Sequence, residues 1–183
     1  RNVPSVAPCS LGNYRMLFWF AGTALIAMWF TFRDPAIDHR LVILGALMPD
    51  ALDMLLGDTK FMHTLAAPIS LLMVLMVITI GRRQLRRHAL AVPIGVFWHS
   101  VFDGAWMNTD LFWWPLTRVA NGDVSIPPTE REALVVVCME LVGLVLLMWS
   151  WRLMGMSEAS RRRLFLRSGR LDRSLIDSKT KGL

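Results

Sequence analysis

The feature that most constrains the fold is the alternation of long apolar runs with short clusters of arginine. A helix that crosses a bilayer needs about 20 mostly apolar residues. The chain is 54% hydrophobic, whereas soluble domains are about 45–50% apolar. The runs are Met16–Phe32, Leu41–Gly57, His63–Ile80, Ala89–Met107 and Glu132–Trp151. The sequence therefore predicts an all-α, polytopic membrane protein with about five transmembrane helices.

The arginine clusters predict the orientation, because Lys and Arg concentrate in cytoplasmic loops. Segment Gly81–His88 carries four arginines, and the tail after Trp151 carries more. Both are expected inside, which gives an N-out, C-in topology and places the loop 118–131 outside. The second run is short and carries two carboxylates, and the alternative that it only re-enters the membrane would reverse the N-terminus. The net charge of +6 then reflects orientation, so no nucleic-acid partner is expected.

The topology divides the chain into a transmembrane helical domain, residues 1–156, and a basic cytoplasmic tail, residues 157–183. The tail combines arginines with leucines and is expected to lie on anionic lipid headgroups, with a loosely ordered tail as the alternative. No cleavable signal peptide is apparent. Cys9 and Cys138 are too few for a disulfide framework, and both thiols are expected to be free.

Five ionisable residues fall at one predicted membrane depth, near the outer side. Asp50 and Asp53 are three residues apart and share a face of the second helix. His99 and Asp103 are four residues apart and share a face of the fourth, and His63 opens the third. Charged groups in a membrane are costly unless they are paired or bound, so this convergence predicts a functional cluster.

A divalent cation would offset both the free-energy cost of burying three carboxylates and the repulsion between them. Mixed imidazole and carboxylate ligands suit Zn²⁺, Mn²⁺ or Fe²⁺ better than Ca²⁺. We expect Zn or Mn, with all five residues as metal ligands and with Asp50, Asp53 and His99 in catalysis. Two alternatives stay open at this point: structural hydrogen bonding between helices, and a proton or ion pathway, which would be expected to continue toward the cytoplasm.

Other polar residues receive lesser roles. Glu140 lies mid-span in the fifth helix and is expected to support the metal ligands, with a further metal ligand or a hydrogen bond between helices as the alternatives. His39 and His88 are expected to be interfacial polar residues on the cytoplasmic side. Three basic residues on the outer side can hold a phosphate or can be ordinary loop charges: Lys60, Arg118 and Arg131.

The cluster lies in four short motifs in a fixed order. These are Pro49-Asp50-Ala51-Leu52-Asp53, His63-Thr64, His99-Ser100-Val101-Phe102-Asp103 and Trp114-Pro115. In order and spacing they resemble the membrane-bound metal-dependent hydrolases of bacteria, over about Gly45–Leu116. The resemblance implies a multi-pass protein of the bacterial inner membrane with a metal site. Two histidines common in that family are missing, one from the first run and one at Asp58, which implies a reduced site, with one ion.

These observations predict a metal-dependent hydrolase that acts on a lipid or a lipid-linked phosphate at the outer face of the inner membrane. Membrane lipid is the expected partner. The alternative is a non-catalytic accessory subunit of a larger membrane complex, in which the Asp/His cluster is structural. A hydrolase should keep an opening into the cluster, whereas a subunit should bury it.

Overall fold

The fold is all-helical, as the sequence predicted. The computed structural model describes residues 16–32, 34–56, 60–116, 132–172 and 174. Of these residues 78% are helical, and none forms a strand. The predicted outer loop 118–131 and Cys9 lie outside the described residues.

Eight α-helices and two 3₁₀ turns follow one another along the described chain. The helices are α1 (Leu17–Thr31), α2 (His39–Leu56), α3 (Ala66–Ile78), α4 (Arg83–Ala89), α5 (Ala91–Phe102), α6 (Thr109–Phe112), α7 (Ala133–Leu153) and α8 (Ala159–Ser168). The 3₁₀ turns, Lys60–His63 and Ala105–Met107, precede α3 and follow α5. The five apolar runs correspond to α1, α2, α3, α5 and α7, and the arginine-rich segments form α4 and α8.

One described helix is long and apolar enough to cross a membrane. This is α7, with 21 residues and a mean hydropathy of 2.4. Only 17% of its most apolar stretch is buried, so it is not the core helix of a globular domain. Helix α2 has 18 residues but carries Arg40, Asp50 and Asp53. Helix length and composition therefore do not support five complete spans.

Two of the predicted spans are shorter than the apolar runs that suggested them. Helix α3 has 13 residues and α5 has 12, which correspond to about 20 and 18 Å against a hydrocarbon core of about 30 Å. Gly104 adopts the left-handed conformation, with φ of 78°, and ends α5 just after Asp103. His63 precedes α3 on a 3₁₀ turn. Both site residues therefore flank helices rather than lie within them.

The bundle is built from two closely packed helix pairs. Helix α2 packs mainly on α5, and α1 packs mainly on α7. In the first pair, a Cβ on Gly45 would overlap the carbonyl of Val92, and one on Gly95 would overlap the carbonyl of Val42. Gly22 and Gly143 make the matching contact in the second pair. Glycines therefore allow both pairs to approach backbone to backbone.

The two ends of the bundle differ in charge, with the Asp/His cluster at one end and the arginine-rich elements at the other. Contacts along the helices show that α2 and α5 run in the same direction, while α1 and α7 run in the opposite one. The site end holds the last turns of α2 and α5 with the 3₁₀ turn Lys60–His63. The basic end holds the segment 34–40 with α4 and α8. The arginine-rich elements and the Asp/His cluster therefore lie at opposite ends.

The tail segment after α7 is docked on the basic end. The backbone N–H of His39 donates to the carbonyl of Gly169 at 2.9 Å, and the Arg40 guanidinium donates to the carbonyl of Leu166 at 2.8 Å. Burial alone would raise the pKa of Asp38, but the hydrogen bonds and charge of Arg40 outweigh it and hold that pKa below its usual value. The tail therefore contacts the start of α2 through Leu166 and Gly169, and its binding to anionic headgroups stays a prediction.

We predict that Gly95→Ala separates α2 from α5, because its new methyl group has no space at the Val42 carbonyl. The free energy of unfolding should fall by about 1–3 kcal/mol. Thermal melting in detergent measures this. The control Ser70→Ala, on the exposed face of α3, should change it by no more than about 0.5 kcal/mol. Equal melting of wild type and Gly95→Ala would contradict the close packing.

Candidate metal centre

His99 is held in one orientation at the centre of the bundle. Its side chain is fully buried, and its ring lies against Phe20 of α1, with centroids 4.0 Å apart. The ring Nδ1 is 2.8 Å from the carbonyl oxygen of Ala46 on α2. The close approach of α2 and α5 at Gly45 and Gly95 makes this contact between the helices possible.

That contact fixes the proton on the imidazole. A carbonyl oxygen can only accept, so Nδ1 of His99 carries the hydrogen. In the neutral ring Nε2 then presents a lone pair. Nε2 is buried and makes no hydrogen bond within the described residues, and it faces Oδ1 of Asp50 at 3.6 Å, beyond hydrogen-bond range. A lone pair and a carboxylate oxygen that face each other in a buried site are suited to a shared cation.

His63 makes the complementary arrangement with both of its nitrogens. Nε2 is 2.9 Å from Oδ2 of Asp53, and Nδ1 is 3.2 Å from Oδ2 of Asp103. The ring is almost fully buried, as is the carboxylate of Asp103. His63 therefore links the end of α2 to the end of α5 from the 3₁₀ turn between them.

Three ligand atoms converge closely enough to hold one metal ion. One atom each from Asp50, His63 and His99 lies within 4.8 Å of the other two. Two imidazoles and one carboxylate, with an open fourth position, are a ligand set used by catalytic zinc. Whichever nitrogen of His63 turns to the ion, the other keeps a carboxylate partner, Asp103 or Asp53. Such a carboxylate–histidine contact orients metal-binding histidines in general.

The structure thus brings together all five residues that the sequence singled out. It places Asp50, His63 and His99 in the three-atom cluster, and it places Asp53 and Asp103 against the ring of His63. The assignment of Asp53 and Asp103 as direct ligands stays a prediction, as do the catalytic roles of Asp50, Asp53 and His99. The residues present can hold a divalent cation; its identity, expected to be Zn or Mn, is a prediction as well.

The cluster is open on one side. The carboxylates of Asp50 and Asp53 are 19% and 18% exposed, whereas His63, His99 and Asp103 are almost fully buried. The two exposed carboxylates lie on consecutive turns of α2. At the site end the two carboxylates are therefore partly exposed, while the imidazoles are buried.

Glu140 has a partner that the sequence did not indicate. Its carboxylate accepts hydrogen bonds from the backbone N–H of Phe18, at 3.1 Å, and of Trp19, at 3.2 Å. A negative charge at a helix N-terminus is favourable, so Glu140 stabilises the start of α1. Its connection to the site is indirect and passes through Phe20, which packs on His99.

The remaining candidates lie away from the cluster or outside the described residues. His39 and His88 lie at the basic end, where Nδ1 of His39 contacts the carbonyl of Ile37 at 2.9 Å. Cys138 is a free, exposed thiol, as expected. Arg118, Arg131 and the side chain of Lys60 are not among the described parts of the chain.

No protein-family model, curated protein or solved structure was found to match this chain. The resemblance to membrane-bound metal-dependent hydrolases therefore stays a prediction that depends on the four motifs.

We predict that His63→Leu destabilises the protein by about 3–5 kcal/mol, since it leaves buried carboxylates without their shared donor. The matched control is His88→Leu, whose ring is about one-third exposed and lies 3.8 Å from Asp38. That control should cost no more than about 1 kcal/mol. Chemical or thermal unfolding of both variants measures the difference, and equal losses would show that the His63 contacts contribute little.

Proposed function

We propose that this protein is a metal-dependent hydrolase, embedded in the bacterial inner membrane by several helices, that acts on a lipid or lipid-linked phosphate at the outer face. The observation that carries the proposal is the buried Nε2 of His99 facing Asp50, with the imidazole held in the metal-binding tautomer by Ala46. In that tautomer Nε2 of His99 carries no hydrogen, and an ionised Asp50 carboxylate can only accept, so a direct hydrogen bond does not account for the ionised pair.

The exposed surface supports a membrane setting. Most of α3 and α7 presents large apolar side chains outward, including Met73, Val77, Leu141 and Val145. In most proteins, a surface on which many large apolar side chains are exposed together contacts a membrane or a partner protein. Short helices such as α3 and α5 are tolerated at membrane depth where neighbouring protein covers their ends.

The surroundings of the opening support an amphiphilic substrate. Exposed apolar side chains from the end of α2 and from the segment after α5 lie at the site end: Leu55, Leu56, Trp106, Met107, Trp113 and Trp114. Trp is enriched where one side of a molecule meets headgroups and the other meets acyl chains. A substrate with an apolar chain and a polar phosphate matches this combination of apolar rim and acidic interior.

The residues divide the chemistry among them. Asp50, His63 and His99 would hold the cation, which, when bound, would lower the pKa of a water to about 7. Asp53 is outside the three-atom cluster and partly exposed, so it is the candidate general base. The Asp53 carboxylate would hold the proton taken from water while the water oxygen bonds to phosphorus, and the nitrogen of His63 that does not bind the ion would keep its contact with Asp53 or Asp103. That proton is finally returned to the alcohol released when the phosphate ester bond breaks.

The accessory-subunit alternative has an observation of its own. His63 joins α2 to α5 through two carboxylates, as a purely structural cluster would. The partial exposure of Asp50 and Asp53 favours the hydrolase, because a structural cluster gains nothing from an opening.

We predict that the wild type binds about one divalent ion per chain and releases phosphate from phosphatidic acid in mixed micelles. His99→Ala should lose the ion and reduce turnover by at least about 100-fold. The matched control His88→Ala, at the basic end, should retain both. Elemental analysis, melting temperature and phosphate release are measured on all three proteins. A wild type without metal, and a His99→Ala variant that only melts earlier, would favour the accessory subunit.

We predict that the site end faces away from the cytoplasm. Single cysteines are introduced at Asp123, in the predicted outer loop, and at Ser160, on α8, in a background where Cys9 and Cys138 are serine. In intact cells an impermeant maleimide should label position 123 but not position 160, because arginine-rich segments remain inside. Labelling of position 160 alone would reverse the orientation and move the proposed substrate to the inner leaflet.

A further inference from the structure

The two arginine-rich helices form one structural unit at the basic end. The Arg170 guanidinium on the α8 side is 3.1 Å from Nε2 of His88 on α4. The backbone N–H of Leu171 donates to the carbonyl of Pro35 at 3.0 Å. These bonds attach the segment that follows α8 to α4 and to the segment that precedes α2. We call the six exposed arginines of this unit the basic platform: Arg82, Arg83, Arg87, Arg162, Arg163 and Arg167.

Three of the acidic side chains at the basic end are engaged with other arginines, and Asp34 accepts a hydrogen bond from the backbone N–H of Ala36. Asp38 pairs with Arg40 at 3.0 Å. Glu158 and Asp172 lie 3.1 and 3.6 Å from Arg161, which is half-buried. The platform arginines are themselves exposed, so their positive charge is directed outward and attracts an anionic partner.

Leucines among these arginines indicate which kind of anion is bound. Leu166 is 71% exposed and follows Arg162 and Arg163 by four and three residues, so all three share one face of α8. On α4, exposed Leu85 stands three residues after Arg82. Apolar side chains between arginines suit the boundary between headgroups and acyl chains. Nucleic acid offers the phosphates without the apolar layer.

We propose that the basic platform binds anionic phospholipid headgroups of the leaflet at the basic end, with the leucines inserted beside them. The orientation of a membrane protein requires only that its arginines lie on the cytoplasmic side of the membrane. Here the arginines of α8 also lie on a helix that is hydrogen-bonded to the bundle. The platform is at the opposite end from the metal centre, so the proposal does not depend on hydrolysis.

The test uses the full chain in nanodiscs of phosphatidylcholine alone, or with about one-third phosphatidylglycerol. Hydrogen exchange is measured for the peptides of α4 and α8. We expect exchange slower by at least about fivefold with phosphatidylglycerol, the effect of roughly one arginine–lipid contact. High salt should reduce this protection. The variant R82Q/R83Q/R162Q/R163Q should lose it, while the matched variant with lysine at the same four positions should retain it.

Several outcomes would overturn the proposal. One is equal exchange in the two kinds of disc, and another is protection that the glutamine variant retains. A third is a chain that does not enter discs at all. Protection of α8 by a short DNA duplex, with none from phosphatidylglycerol, would assign the platform to nucleic acid instead. Exchange in α1 serves as an internal control, since this helix contains no charged residue and should not depend on lipid charge.

Discussion

The close packing of α2 on α5 is the contact on which the candidate site depends. Gly45 and Gly95 leave no room for a methyl group, and this approach brings the imidazole of His99 to the carbonyl of Ala46. That hydrogen bond decides which nitrogen of His99 faces Asp50. A structural contact between backbones therefore determines the chemical state of a buried ring, and the site could not be preserved on helices set farther apart.

The second constraint is electrostatic and acts through His63. Carboxylates from α2 and from the end of α5 approach one imidazole from opposite sides. Because the ring is buried, little water screens these charges, and each carboxylate depends on the ring or on a cation for compensation. The same ring belongs to the three-atom cluster with Asp50 and His99. Folding and the proposed metal binding would therefore use overlapping groups, which is why the two roles must be separated by measuring metal content together with stability.

Much of this arrangement was predictable from the sequence. The long apolar runs and the arginine clusters predicted the helical class, the order of the elements and the two ends of the bundle. The spacing of Asp50, Asp53, His99 and Asp103 predicted the cluster. Helix length was overestimated, because hydropathy does not register where Gly104 ends α5. The Ala46 carbonyl was missed since backbone acceptors leave no sequence signal, although the glycines at positions 45 and 95 could have indicated close packing. The partner of Glu140 was equally hidden, as it is the backbone of α1.

The distribution of charge also limits which molecules can reach the site. Helices α1 and α3 contain no charged residue, so an apolar zone separates the Asp/His cluster from the arginines of the basic end. If this zone lies in the hydrocarbon of a bilayer, a phosphate headgroup from the leaflet at the basic end would have to cross it to reach Asp50. Headgroups in the leaflet at the site end meet no such barrier, because Asp50 and Asp53 are partly exposed there. For the proposed hydrolase, the separation of charge would therefore favour molecules of the site-end leaflet as substrates, and the arginines of the other end would contact lipids that the site does not process.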